Sequence, residues 1–193
     1  RVAAWYKPMV VWGSHRAGQV HCTVGVDNRL GGKLAGECLI AAGRKRLAFI
    51  GNLPAPEFVD RYQGLCDAAQ AAGLEQPLSL NVHLAADTLP DEVARQVEQI
   101  AGKVDGLAAG SDMIAVQAVR ALIDRGLAVP DRVAVTGFDD LPLAEHTIPR
   151  LTTVRQDLAL GAKTMVELLF QRMAGSEPES VTMKPLLVRR ETA

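Results

Sequence analysis

Two adjacent carboxylates, Asp139 and Asp140, close the apolar run "VAVTGF" (133–138). Carboxylates where a buried strand leaves its sheet have four uses: holding a metal, acid–base chemistry, capping a helix, or receiving the hydroxyls of a ligand. A metal site or an acid–base dyad requires further carboxylates or a lysine from other strand ends, and "GSD" (110–112) offers only Asp112. The pattern therefore gives Asp140 to the N-terminus of a short helix over 141–146, where its carboxylate would cap free backbone N–H groups. Asp139 is left to accept hydroxyls, two of which one carboxylate can receive. Arg61, in "VDRYQG" (59–64), opens a helix behind the strand "LAFIGN" (47–52) and offers a planar fork to a carboxylate or paired hydroxyls. Ser111 is a good N-cap whose hydroxyl would face the same edge.

Other chemistries lack their spacing. Gly31-Gly32 follow a strand and open a helix, but neither GxGxxG nor GxxxxGK[ST] is present. The four histidines (15, 21, 83 and 146) show no HExxH pairing, and there is no GxSxG nucleophile turn. No catalytic constellation, metal site or cofactor motif results.

The elements that must position Arg61, Ser111 and Asp139 come from a repeating pattern. Apolar, β-branched runs at 8–13, 22–26, 46–51, 78–84, 106–110, 133–138 and 152–156 predict strands. Helical patterns fall at 29–42, 59–72, 90–102, 112–125 and 157–174, with Gly43, Gly73, Gly126 and Gly175 just past four of the helix ends. Continuous apolar strands alternating with helices specify an α/β fold, its parallel sheet covered on both faces. Open α/β sheets bind ligands outside the carboxyl ends of their strands, where all three residues lie.

In "MIAVQAVRALID" (113–124) the strongly polar Gln117, Arg120 and Asp124 cluster on one narrow face. The apolar arc exceeds the roughly 100° that a surface helix needs. The surplus, with Met113, Val116, Val119, Ile123 and the segment around Ile148, predicts a second buried contact, a subunit interface before a cover of neighbouring loops.

With 193 residues, 48% of them hydrophobic and 22% charged, the chain has the material for one large domain or two lobes. A net charge of −1 excludes a broad basic surface for nucleic acid or an anionic membrane. Three scattered cysteines form neither a zinc spacing nor a disulfide framework, which favours a reducing compartment. No apolar run approaches the roughly 18–20 residues of a membrane span, and no signal peptide opens the sequence.

Four segments in order resemble the effector-binding domain of the lactose-repressor (LacI-type) transcription regulators. They are "VGVDNRLGGKLAGECLIAAGRKRLAFIGN" (24–52), "DRYQGLCDAAQAAGL" (60–74), "AAGSDMIAVQAVRALIDRGLAVPDRVAVTGFDDLPLAEHTIPRLTTVRQD" (108–157) and "PLLVRRETA" (185–193). The resemblance implies a two-lobed periplasmic-binding-protein-like fold, parallel sheets flanked by helices and three crossovers around a small-molecule cleft. One lobe would comprise 1–26 with 157–185 and the other 27–156 with 186–193. Relative to the family pattern, the helix-turn-helix, the hinge helix and two βα units of the first lobe are missing ahead of residue 8. The first lobe is therefore expected to be incomplete, and operator DNA to be met only through the missing N-terminal domain.

The resemblance matches Arg61, Asp139 and Gln156 to family positions that contact effector; Ser111 stands where the family more often has asparagine. Trp12, in a "VVWGS" edge that departs from the family pattern, is placed either to stack on a sugar ring or to pack as an ordinary core tryptophan. In relatives the dimer interface runs through the helix matching 113–123, in agreement with the apolar arc. The implied function is a cytoplasmic, homodimeric, ligand-sensing domain that is not an enzyme. Its effector would be a sugar or related metabolite. The competing classes are a solute-binding protein of a sugar transport system and a metal-dependent enzyme using the aspartate pair.

Overall fold

Short runs buried on both faces build most of the sheet framework in the computed structural model, which describes residues 8–16, 18–85 and 87–193. Residues 1–7 of the lobe expected over 1–26 lie outside the described residues. The strands are β1 (Val10–Trp12), β2 (Cys22–Val26), β3 (Leu47–Gly51), β4 (Leu78–Asn81), β5 (Gly106–Ala109), β6 (Ala134–Asp139), β7 (Thr152–Arg155), β8 (Val181–Met183) and β9 (Leu186–Val188). The helices are α1 (Asn28–Ala41), α2 (Pro56–Ala71), α3 (Leu89–Ile100), α4 (Asp112–Asp124) and α5 (Leu158–Met173), with a 3-10 helix at Pro142–Glu145. The seven predicted strands and five predicted helices are all present, and Gly43, Gly73, Gly126 and Gly175 all have positive φ. α2 starts at Pro56, three residues before the expected 59, because a proline at the first helical position pre-sets φ where no N–H partner is needed.

The chain divides into two compact units, 1–27 with 156–185 and 28–155 with 186–193. Asp27 and Gln156 thus group with the first unit rather than the second.

In the first unit β1, β2 and β8 form a parallel three-stranded sheet in the order β1-β2-β8. Cys22, Val24, Leu168 and Met183 form its core, with Val10, Met165 and Val181 packed against it. α5 approaches β1 at Gly161, where a Cβ would strike the Trp12 ring.

In the second unit six strands run in the order β4-β3-β5-β6-β7-β9. The first five are parallel, while β9 pairs antiparallel with β7, a departure from the all-parallel expectation. β8 and β9 are three residues each and too short to show a period in sequence. After β3 the chain crosses outward to β4 and then back to β5 on the other side, so the strand order reverses between β3 and β5. That reversal is the topological switch point of this sheet.

α1 and α2 approach closely over two glycines. A Cβ on Gly32 would collide with the Arg61 carbonyl, and one on Gly64 with the Arg29 carbonyl. This close approach fixes where the first turns of α2, and hence Arg61, lie.

Candidate functional site

The C-terminal edge of the six-stranded sheet collects the charged side chains singled out from its strand ends. Arg61 stands on α2, Ser111 caps α4 behind β5, and Asp139 is the last residue of β6. Arg61 is 6% exposed, and its guanidinium carbon sits 3.6 Å from the Phe138 ring centroid and 5.2 Å from that of Phe58. Its Nε donates to Asn28 Oδ1 at 2.7 Å and one terminal nitrogen donates to the Gly110 carbonyl. That same nitrogen lies 3.9 Å from Asp139 Oδ1. Burial pulls the guanidinium pKa down to about 10, opposed by Asp139, Glu57 and Asp112. Arg61 therefore stays charged at neutral pH, held rigidly between two aromatic faces.

The two adjacent carboxylates have different surroundings, and that of Asp140 departs from the sequence expectation. Asp140 does not cap a helix. The 3-10 helix Pro142–Glu145 begins after Leu141 with no side-chain cap, and the Leu141 N–H donates instead to Asp112 Oδ2 at 2.7 Å. Asp140 is the centre of an ion cluster: Arg155 Nε donates to one oxygen at 2.6 Å and an Arg190 terminal nitrogen to the other at 2.7 Å. The same Arg190 nitrogen meets Glu145 Oε1 at 3.1 Å. The physical reason is distance along the chain: two arginines supplied by β7 and the C-terminal tail outcompete a local cap. Asp139, expected to be left over for ligand, is already beside Arg61 and one-fifth exposed.

Asp139 and Asp140 both carry positive φ, 115° and 57°, consecutive non-glycine residues on the left-handed side of the map. Asp112 supports this turn from beneath. It is fully buried, accepts the Thr153 hydroxyl at 2.5 Å and the Leu141 N–H at 2.7 Å. In the sequence Asp112 stands out only as a third metal carboxylate, because its partners lie 29 and 41 residues away and leave no local signal. Among the described residues no group of three or more His, Cys, Asp or Glu is arranged to hold a metal.

The remaining candidates are placed as follows. Ser111 caps α4, its Oγ accepting from the Ile114 N–H at 3.4 Å. Trp12 and Gln156 belong to the first unit: Trp12 packs over Gly161 with 37% of its surface exposed, and Gln156 is buried. On α4, Val116, Val119, Arg120 and Ile123 line an apolar groove of about 340 Å³ with Thr147, Ile148 and Leu151. Ile148 is 92% exposed and Met113 and Ile123 are nearly half exposed, whereas Val119 is already covered within its own unit.

A family model described as a periplasmic binding protein-like domain matches residues 37–193. The chain belongs to the periplasmic-binding-protein-like family, on its LacI-type side. Among relatives of this family, the transcriptional regulator CelR of Thermobifida fusca is 37% identical over 174 residues, 88% of this chain and 51% of that protein. GalS of Salmonella typhimurium is 34% identical over 180 residues, 91% of this chain and 53% of that protein. The chain thus spans about half the length of these curated relatives. The solved CelR–cellobiose complex superposes with a TM-score of 0.84 at 30% identity, covering 95% of this chain and 58% of that one. A periplasmic binding protein/LacI regulator of Alkaliphilus metalliredigens complexed with D-xylulofuranose gives 0.85 at 29%, covering 95% and 69%. These periplasmic-binding-protein-like relatives are regulators rather than enzymes. No helix among the described residues is long and apolar enough to cross a membrane.

Proposed function

We propose that this chain is the ligand-sensing and dimerisation part of a LacI-type transcription regulator, and that Arg61 and Asp139 read a neutral, hydroxylated effector of the sugar class. The observation that carries the reading is the Arg61–Asp139 pair at the carboxyl edge of the sheet, next to its switch point. A guanidinium packed against Phe138 and Phe58 is fixed at the edge by Asn28 and the Gly110 carbonyl, and an acceptor carboxylate lies 3.9 Å away. A donor fork beside a carboxylate matches neighbouring sugar hydroxyls, each of which donates and accepts. The charges balance locally: Arg61 faces Asp139, and Arg155 and Arg190 are occupied by Asp140 and Glu145. Among the described residues of this edge the three arginines are thus already matched by carboxylates, which favours a neutral sugar over a phosphate. Ser111 adds a hydroxyl at the next strand end. The sugar complexes of CelR and of the Alkaliphilus regulator support the same ligand class.

In this reading the occupant of the α4 groove is a second copy, which would cover Met113, Val116, Ile123 and Ile148. Operator DNA is contacted through a separate domain of the regulator, and the site of action is the cytoplasm. The matching relatives are transcription regulators, and this favours sensing over sugar transport.

The test is calorimetric titration with cellobiose, D-ribose, D-xylulose and their phosphate esters, with melting curves on each variant. A neutral sugar should bind more tightly than its phosphate ester. Arg61→Met and Asp139→Ala should each weaken it roughly ten- to hundredfold, the loss of a charged hydrogen bond of about 1.5–3 kcal/mol. Asp139→Asn keeps an acceptor and should weaken binding less. Tighter binding of the phosphate ester, or unchanged affinity in Asp139→Ala, would overturn the assignment.

A further inference from the structure

We propose that Asp112, which need not touch ligand, is the positioning residue of this edge: it holds Asp139 in its left-handed conformation by gripping the backbone and strand on either side of the turn. The inference rests on the reading of Asp139 as the hydroxyl acceptor and adds the device that aims it.

Non-glycine residues rarely adopt positive φ, and two in succession persist only when the surroundings over-determine them. The surroundings here are specific. Asp140 is pinned on one side by Arg155 and Arg190. The backbone on the far side, at Leu141, is pinned by Asp112 Oδ2. The other Asp112 oxygen takes the Thr153 hydroxyl from the neighbouring strand β7, so one carboxylate ties the turn to the sheet. Space is reserved for it: a Cβ on Gly137, two residues before Asp139, would collide with Asp112 Oδ1. Asp139 thus lies between one residue the carboxylate excludes from having a side chain and another whose N–H it binds. Neither contact is available to Asp139 or Asp140 themselves, and no residue adjacent in sequence supplies them.

The groups facing Asp112 are Asp139 and Asp140 from the β6 turn, Arg61 from α2 and Thr153 from β7. Burial, with the two neighbouring aspartates, pushes the Asp112 carboxyl up to about 6, against the opposing pull of the Thr153 and Leu141 hydrogen bonds. The carboxyl therefore changes charge just below neutral pH. Its protonated form still accepts from Leu141 and donates to Thr153, as an asparagine amide would. The turn is then retained and the charge beside Asp139 is lost.

Nuclear magnetic resonance on the labelled full chain tests this without any ligand. The Asp112 carboxyl carbon and the Leu141 amide proton should titrate together, with a midpoint near 6. Asp112→Asn should hold Asp139 and Asp140 at positive φ and abolish the Leu141 titration. Asp112→Ala should release Asp139 to ordinary φ. With cellobiose, D-ribose and D-xylulose as probes, Asp112→Ala should weaken whichever binds by roughly tenfold or more, and Asp112→Asn by less than about threefold. Positive φ retained at Asp139 in Asp112→Ala, or a Leu141 amide that ignores Asp112, overturns the proposal. If none of the three sugars binds the wild type, the effector reading fails, and the torsion measurements still decide the role of Asp112. If Asp112→Ala does not fold, the joint titration in the wild type and its loss in Asp112→Asn decide it.

Discussion

Removing Asp140 separates its role in the ion cluster from a helix cap, because the two predict different magnitudes. A lost cap costs about 1 kcal/mol. The cluster predicts more. The Asp140 side chain is 6% exposed, and it holds Arg190, 9% exposed, and Arg155, 46% exposed. The Arg155 pair is half in water and contributes roughly 0.5–1 kcal/mol. Arg190 is the larger loss, since stripping a buried ion of its partner costs about 3–5 kcal/mol. Glu145 and the Leu151 carbonyl remain to Arg190, so roughly half of that applies here. Alanine also tolerates a φ of 57° less well than aspartate or asparagine. Together Asp140→Ala should cost about 2–4 kcal/mol, lowering Tm by roughly 5–12 °C for a chain of this size. Asp140→Asn, which accepts the same φ and keeps one acceptor, should cost about half as much. The assay is thermal and urea unfolding of both variants and of Asp140→Ala/Arg190→Met, where deleting the orphaned cation should restore part of the loss. A loss of about 1 kcal/mol or less in Asp140→Ala, with no recovery in the double variant, would refute the cluster.

The other expectations concern the rest of the second unit. Val116→Asp and Ile148→Asp each place a charge in the α4 groove and should shift a dimer toward monomer in sedimentation velocity; an unchanged distribution removes the second copy as the occupant. Gly32→Ala pushes α2 away at the Arg61 carbonyl and should cost roughly 1–3 kcal/mol in melting curves, with weaker effector binding in the same variant. Asp112 has a folded pKa raised to about 6, so its contribution is most favourable below the unfolded value near 4 and is lost as pH rises through 6. Asp112→Asn does not titrate, so its Tm relative to wild type should climb between about pH 4 and 7. A flat difference would show that Asp112 does not titrate in this range.

Much of the fold was legible because it follows from short-range pattern. Runs such as "LAFIG" and "AVTGFD" are buried throughout or nearly so, and so announce themselves as central strands without alternation. The glycines after α1, α2, α4 and α5 announce helix ends through positive φ. β9 was not legible: three residues ending "LLV" give no period, and their antiparallel pairing to β7 is decided by where the tail returns. The shortest helix was legible only roughly, a 3-10 turn over Pro142–Glu145 where a helix over 141–146 was expected.

The site was legible to the extent that its residues stand at strand ends, and not where partners arrive from far along the chain. Ser111 caps α4 as its position at a helix start demanded, because a cap is a contact three residues long. Arg61 and Asp139, 78 residues apart, could be put on one sheet edge by alternation alone, but not at 3.9 Å from each other. The "DD" pair shows where local reasoning ends. Its neighbours in sequence offered Asp140 only a cap, whereas Arg190, 50 residues on, offered a charge, and the charge is the stronger partner for a carboxylate that is 6% exposed. The Leu141 N–H, at the start of the 3-10 helix, goes to Asp112, 29 residues back. Two partners from far along the chain therefore shape the observed turn. Both leave Asp139 as the last residue of β6, beside the buried Arg61 of α2.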